Sequence, residues 1–173
     1  MHFNPYGGAA AELAAQLVNS TPETDLQQLL DDADYKPLGA LDPAQVGALR
    51  RWIRRLDAAF DAPSVELLNG LLAETTSEPY ISTHDGREPH LHFSRIDLPT
   101  VERVKAYTAM GLAELYCAAP DRIGRCARPG CSWVFVDTSR NGRRRFCTTR
   151  CSNRVHVAEH RRGRSGPGGG SAA

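Results

Sequence analysis

Two pairs of cysteines restrict the fold of this 173-residue chain more than any other feature of its sequence. Cys126 and Cys131 form a C-x4-C pair, Cys147 and Cys151 form a C-x3-C pair, and fifteen residues separate the two pairs. Zinc binds four thiolates in a tetrahedron, and two local pairs joined by a short segment supply that arrangement. We therefore predict that these four cysteines hold one structural Zn2+ ion.

Other uses of paired cysteines fit this sequence less well. A redox dithiol usually has C-x-x-C spacing, which neither pair has. Disulfides are disfavoured, because the first twenty residues lack the basic start of a secretion signal and thiols stay reduced in the cytoplasm, where we expect this protein. Four protein ligands leave no open position for a catalytic water, so we predict that the chain is not an enzyme. The fifth cysteine, Cys117, lies on a predicted helix and is expected to be a buried apolar residue.

The residues between the four cysteines predict how the pairs are held. Pro129-Gly130 is typical of a tight turn, Trp133–Val136 of a strand, and Asn141-Gly142 of a second turn. The cysteines of the second pair are four residues apart, so they would share one face at the start of a helix that runs to about Arg162. A knuckle, a hairpin and a helix in this order predict a treble-clef-like zinc module.

Charge is divided unevenly along the chain. Residues 1–121 carry nine Lys and Arg against 18 Asp and Glu, a net of −9, whereas residues 122–173 carry twelve Arg, no Lys and two acids, a net of +10. Arginine favours planar, bidentate contacts with phosphate groups or guanine edges. The basic part is therefore predicted to bind nucleic acid. The alternative is a solvated arginine-rich surface, or arginines that bond only to carbonyls and acids of the same chain.

The predicted helix of the zinc module concentrates these arginines on one side. With about 100° per residue, Arg150, Arg154 and Arg161 fall within about 40° of each other, and Asn153 lies beside them. The arginines at 143–145 add charge from the arm that enters Cys147.

The first 118 residues predict a mostly helical body, and no segment approaches the roughly 18 apolar residues of a membrane helix. Leu13 and Leu17 lie on one face of an alanine-rich first helix, and Asp42-Pro43 is typical of a helix start. Further helices are predicted over Thr24–Leu30, from Pro63-Ser64 to Ala73, and from Pro99 to about Ala118.

A short hairpin interrupts these helices. Tyr80–Ser82 and His90–Phe93 are predicted strands on either side of a turn at Asp85-Gly86. His84, His90 and His92 could form a metal site, and a catalytic site near them is the less favoured alternative to a non-enzymatic protein. Because an H-x-H pair lacks a placed third ligand, we favour exposed histidines that alternate with Leu91 and Phe93 facing the core.

The zinc module resembles the CGNR zinc finger family. The resemblance rests on C-x4-C, then WVFVDTSRN, RRRFC and CSNR, and it covers about Arg125–Arg162. Members place this finger behind a helical domain called ABATE, whose opening motif is similar to Leu17–Ser20, and they are described as stress-induced transcription regulators. Ser152 replaces the signature Gly, and we expect the fold to tolerate it, because Ser is accepted in a first helical turn.

Together these features predict a mainly α fold (α+β), with a helical ABATE-like regulatory domain at 1–118, a CGNR-type finger at 119–163 and a disordered Gly-rich tail at 164–173. The resemblance and the charge imply a DNA-binding transcription regulator in the cytoplasm, associated with the nucleoid, with double-stranded DNA as partner. A homodimer and a small-molecule effector of the helical domain are further possibilities, and an RNA-binding or protein-docking finger is the alternative. The residues predicted to contact nucleic acid are Arg140, Arg143, Arg144, Arg145, Arg150, Asn153, Arg154, Arg161 and Arg162.

Overall fold

The computed structural model describes residues 5–33, 35, 39–83 and 88–164. Over these residues the chain is mainly helical, with two small antiparallel hairpins, so the predicted fold class is confirmed. In chain order the elements are α1 (Pro5–Val18), α2 (Leu26–Asp32), α3 (Pro43–Asp61), α4 (Val65–Ala73), β1 (Tyr80–Ser82), β2 (His90–His92), α5 (Thr100–Ala118), β3 (Ile123–Arg125), β4 (Val134–Val136) and α6 (Thr149–Arg164).

The helix starts follow from capping residues in the sequence. Asp42 caps α3 in a capping box with Gln45, and Pro43 occupies the first turn as predicted. Ser64 caps α4 in the predicted place. The second helix begins slightly later than predicted, at Leu26, because the side chain of Asp25 accepts the first free backbone N–H groups.

The core forms where α1 lies against α5. Gly111 of α5 permits a close approach of the two helices, since a Cβ added to it would lie 2.4 Å from the Cβ of Ala10 on α1. Leu13 and Leu17 of α1 are buried, and α3 adds the buried Trp52, whose indole N–H donates to Thr108 Oγ1 at 3.0 Å. The predicted apolar stripe of α5 is buried throughout and consists of Val101, Val104, Thr108, Leu112 and Leu115.

The first hairpin forms as predicted, but the predicted assignment of its faces is wrong. Ile81 pairs with Leu91, and both point outwards, with exposed fractions of 73% and 47%. His90 is buried instead, and its Nδ1 lies 2.9 Å from the carbonyl oxygen of Glu88. Only Phe93, just beyond the strand, is buried as predicted. The predicted turn at 85–86 and His84 lie outside the described residues.

Cys117 also departs from expectation, because it is exposed near the end of α5. The buried stripe of α5 runs through Leu112 and Leu115, and Cys117, two residues after Leu115, lies about 200° around the helix from it. No helix in the described part of the chain is long and apolar enough to cross a membrane.

The second hairpin pairs β3 with β4, in register Gly124 opposite Phe135. The strand β3, which precedes the first cysteine pair, was not predicted from the sequence. Ile123, Val134 and Val136 are buried in the same core as the body helices. The hairpin that carries the first cysteine pair is therefore packed against the body.

Candidate metal centre and nucleic-acid interface

The four cysteine sulfurs converge on one point. All four Sγ atoms lie within 4.8 Å of one another, with Cys131 Sγ 3.8 Å from Cys147 Sγ and Cys147 Sγ 3.6 Å from Cys151 Sγ. A tetrahedron with Zn–S bonds of about 2.3 Å requires S···S separations of about 3.8 Å. The donor set and its spacing therefore fit a single structural zinc ion, as the sequence predicts. Among the described residues, this is the one group of three or more His, Cys, Asp or Glu that could hold a metal.

Backbone hydrogen bonds shape the first half of the centre. The N–H of Cys126 donates to the carbonyl of Trp133 at 2.8 Å, and the N–H of Cys131 donates to that of Arg128 at 3.0 Å. Gly130 has a φ of 74°, which fits glycine best, so the predicted turn is confirmed. A further bond, from Ala127 N–H to the Arg145 carbonyl at 2.8 Å, ties the knuckle to the second cysteine segment.

The second half of the centre lies at the start of α6. Cys147 precedes the helix, and Cys151 lies in its first turn, where its N–H meets Thr148 Oγ1 at 3.3 Å. The Thr148 hydroxyl and then the Arg128 guanidinium lower the pKa of the Cys151 thiol to about 6. Burial, with its neighbouring thiols, raises the pKa of Cys147 to about 12. Arg128 Nε lies 3.2 Å from Cys151 Sγ, so this guanidinium supports the thiolate that zinc requires.

Asp137 and Arg122 fix the loop that leads to the second cysteine pair. Asp137 is only 1% exposed and accepts backbone N–H bonds from Ser139 at 3.0 Å and Arg144 at 2.7 Å. Although burial acts to raise it, these hydrogen bonds hold the pKa of Asp137 below its usual range. Arg122 donates to the carbonyls of Asp137 and Ser139, and its guanidinium lies 2.9 Å from where a Cβ on Gly142 would be.

Arg144 also holds this loop, by donating hydrogen bonds to backbone carbonyls. Its guanidinium donates to the carbonyls of Phe146 at 3.0 Å, Val136 at 3.2 Å and Cys147, and it stacks over the Phe135 ring. Arg144 was predicted to contact nucleic acid. Its donors are directed to carbonyls of the finger, so we assign it to holding the loop.

One face of α6 carries half of the other predicted contact residues. Arg150, Asn153, Arg154 and Arg161 line an open depression of about 560 Å³ together with the half-exposed Val157. Arg150 and Arg154 make no hydrogen bond or ion pair with any described residue. The helix thus brings together the arginines whose common face the sequence predicts, and leaves two of them available to a partner.

The remaining four predicted contact residues lie outside this face. Arg145 and Arg162 line a neighbouring depression of about 430 Å³ on the other flank of α6, which also contains Glu159. Arg140 and Arg143 are exposed in the loop before Cys147 and pair with no described residue.

The finger is fixed to the body by polar contacts as well as by the shared core. The side chain of Asn19 donates to the Val134 carbonyl at 3.0 Å and accepts its N–H at 2.8 Å, as a neighbouring strand would. Arg125 bonds Asp61 and Asp57 of α3, with N···O distances of 2.5 and 2.8 Å. These contacts orient the finger relative to the helical body.

Replacing Asn19 with Ala is expected to lower the free energy of unfolding by about 2–4 kcal/mol, because both backbone groups of the buried Val134 lose their partner. Urea denaturation measures the change. Asn69→Ala is the matched control, since Asn69 is exposed on α4, and it should alter stability by less than about 0.5 kcal/mol. Equal effects of the two substitutions would contradict the role of Asn19.

Sequence reasoning did not single out three residues that matter here. The sequence predicts Asn19 only as part of the motif Leu17–Ser20, Arg128 only as part of the basic charge, and Trp133 only as part of a strand. Trp133 is 51% exposed, beside the knuckle. The position of a large aromatic residue directly after C-x4-C-S is the sequence pattern that could have identified Trp133.

Comparison with known families agrees with this geometry. Residues 122–164 match the CGNR zinc finger. Residues 8–119 match ABATE, described as "Putative stress-induced transcription regulator". The chain belongs to the ABATE family. Both families expected from the resemblance are therefore found, in the expected order. No match to a curated protein is found.

Neither the ABATE nor the CGNR description names an enzymatic activity. ABATE proteins are described as regulators of transcription, and the zinc centre of this member has the closed, all-cysteine ligand set of a structural site. Zinc there would hold the knuckle and the start of α6 together. Of the residues around it, Arg128 and Thr148 favour the thiolate form of Cys151.

Proposed function

We propose that this ABATE-family protein is a transcription regulator that binds double-stranded DNA through α6 of its zinc finger. The finger, residues 119–163, would contact DNA, and the helical body, residues 1–118, would act as the regulatory domain. We expect a cytoplasmic, nucleoid-associated protein. A homodimer and a small-molecule effector of the body stay predictions.

The observation that carries this proposal is that some arginines of the finger bond within the chain and others do not. Arg122, Arg125 and Arg144 bond to carbonyls and carboxylates of the chain itself. Arg150 and Arg154, on one face of α6, pair with no described residue and lie beside Asn153 in an open depression. These two arginines therefore do not serve internal contacts, which was one of the two alternatives. The other alternative, a solvated arginine-rich surface, is decided by the binding test below.

The chemistry of that face suits a duplex groove. Arginine binds phosphate or the O6 and N7 atoms of guanine in a bidentate manner, and Asn pairs similarly with adenine. Arg150 and Arg154 would bind phosphates or guanine, and Asn153 would contact a base edge. Arg140 and Arg143, in the exposed loop, would add phosphate contacts that position the helix without reading sequence.

Binding of the zinc-loaded, full-length protein to a duplex DNA, a structured RNA and an acidic peptide tests the proposal. Fluorescence anisotropy over a salt series should show the tightest binding to the duplex, with log K falling by about 0.9 for each phosphate contacted per tenfold rise in salt. Tighter binding to the RNA would favour an RNA-binding finger, and binding to the peptide alone a docking module. Either result would overturn the proposal.

A further inference from the structure

Trp133 is an exposed aromatic residue on an otherwise fixed part of the finger. Its side chain is 51% exposed, whereas the other tryptophan, Trp52, is 3% exposed and hydrogen-bonded in the core. The indole N–H of Trp133 has no hydrogen-bond partner among the described residues. A half-exposed indole is typical of a binding surface, because one large side chain provides contact area at a low entropic cost.

The backbone on both sides of Trp133 is held rigidly. Its carbonyl accepts the N–H of Cys126 at 2.8 Å, the preceding carbonyl of Ser132 accepts from Arg125 Nη1 at 2.5 Å, and the following N–H, of Val134, donates to Asn19 Oδ1 at 2.8 Å. The strand that follows is buried at all three positions. The indole is therefore presented from a pre-organised support, and little order is lost when a partner covers it.

The surroundings of Trp133 identify the chemistry of that partner. Trp133 lines a depression of about 440 Å³ together with Arg150 and Arg154. The depression borders the metal centre, since Arg128 and three of the four cysteines also line it, and none of its described lining residues is acidic. Arg150 and Arg154 also belong to the proposed DNA-binding face. A partner that meets the guanidinium groups of Arg150 and Arg154 and an aromatic face at once is a polyanion that carries planar, apolar groups, which describes an unstacked nucleobase next to its phosphates.

We propose that Trp133 stacks on an unpaired nucleobase, one that is displaced from the base stack of the bound DNA. The inference rests on the proposed function and adds a substrate preference to it. Stacking requires a free base face, so the finger binds a duplex with an unpaired, bulged base more tightly than the fully matched duplex. Arg150 and Arg154 hold the phosphates beside the displaced base.

Binding to three DNAs of one sequence tests the inference: a matched duplex, the same duplex with one bulged base, and the single strand. Base–aromatic stacking predicts about tenfold tighter binding of the bulged duplex than of the matched one. Trp133→Ala should abolish that preference and leave the salt dependence unchanged. Ile81→Ala, which truncates another exposed apolar side chain far along the chain, is the control and should keep the preference.

Tryptophan emission gives a second readout that does not depend on affinity. The bulged duplex should quench the emission of the native protein, and Trp133→Phe should remove the quenching, since only the buried Trp52 then emits. An unchanged preference in Trp133→Ala, or quenching that persists in Trp133→Phe, would overturn the stacking inference while DNA binding stands. Absence of any binding to all three DNAs would overturn the proposed function itself.

Discussion

Replacing Cys147 with Ser should remove the bound zinc and unfold the knuckle and the start of α6, while the helical body stays folded with β3 and β4 in its core. Structural zinc sites stabilise their folds by roughly 10 kcal/mol or more, shared among four ligands, so one lost thiolate should lower zinc affinity by at least about a hundredfold. The core between α1, α3 and α5 also contains Ile123, Val134 and Val136 of β3 and β4, but it does not include the cysteines. Zinc content by elemental analysis and helicity by circular dichroism would measure the two parts separately.

Cys117→Ser is the matched control for this experiment, because Cys117 is an exposed thiol on α5 that lies outside the sulfur cluster. It should keep one zinc per chain. A Cys147→Ser protein that still carried a full equivalent of zinc would contradict the four-cysteine centre. A second equivalent in the native protein would point instead to a metal site elsewhere, such as the histidine pair of the first hairpin.

Replacing both Arg150 and Arg154 with Ala should weaken DNA binding by roughly 30-fold to 1,000-fold, at about 1–2 kcal/mol for each lost contact. Both side chains line the same face of α6 and neither pairs with a described residue, so their removal should leave stability nearly unchanged. If both contact phosphate, the slope of log K against log salt should also fall by about 2. Anisotropy titrations at several salt concentrations measure both effects.

The double variant Arg51→Ala and Arg54→Ala separates a specific contact from a change in net charge. Both arginines are exposed on α3 of the body, and their removal changes the charge of the protein by the same amount. DNA affinity should stay within about threefold of the native value, because neither arginine lies on α6 and exposed charges outside the interface are screened. Equal losses in the two double variants would show that DNA binding depends only on overall charge.

Features that are local in the chain could be predicted from the sequence. The spacing of the four cysteines, the Pro129-Gly130 turn and the Asp42-Pro43 helix start each depend on a few neighbouring residues, and the structure contains all of them. The common face of Arg150 and Arg154 follows from helical periodicity alone.

Features that depend on distant parts of the chain were missed. Alternation along the strand predicts that Leu91 and His90 lie on opposite faces of β2. Which face is buried depends on the rest of the fold, so the prediction that Leu91 is buried and His90 exposed was wrong. The strand β3 has only three residues, with Gly124 at its centre, so it carries no recognisable strand pattern. The anchoring of Val134 by Asn19 joins residues 115 positions apart, which no local pattern reveals.

Mapping the DNA contact surface by nuclear magnetic resonance tests the central claim most directly. On titrating a duplex into the zinc-loaded protein, backbone amide shifts should be largest at residues 149–161 of α6, with smaller shifts in the loop at 140–145. The α3 amides around Arg51 and Arg54 should not move. Shifts concentrated on the helical body, with α6 unchanged, would contradict the account.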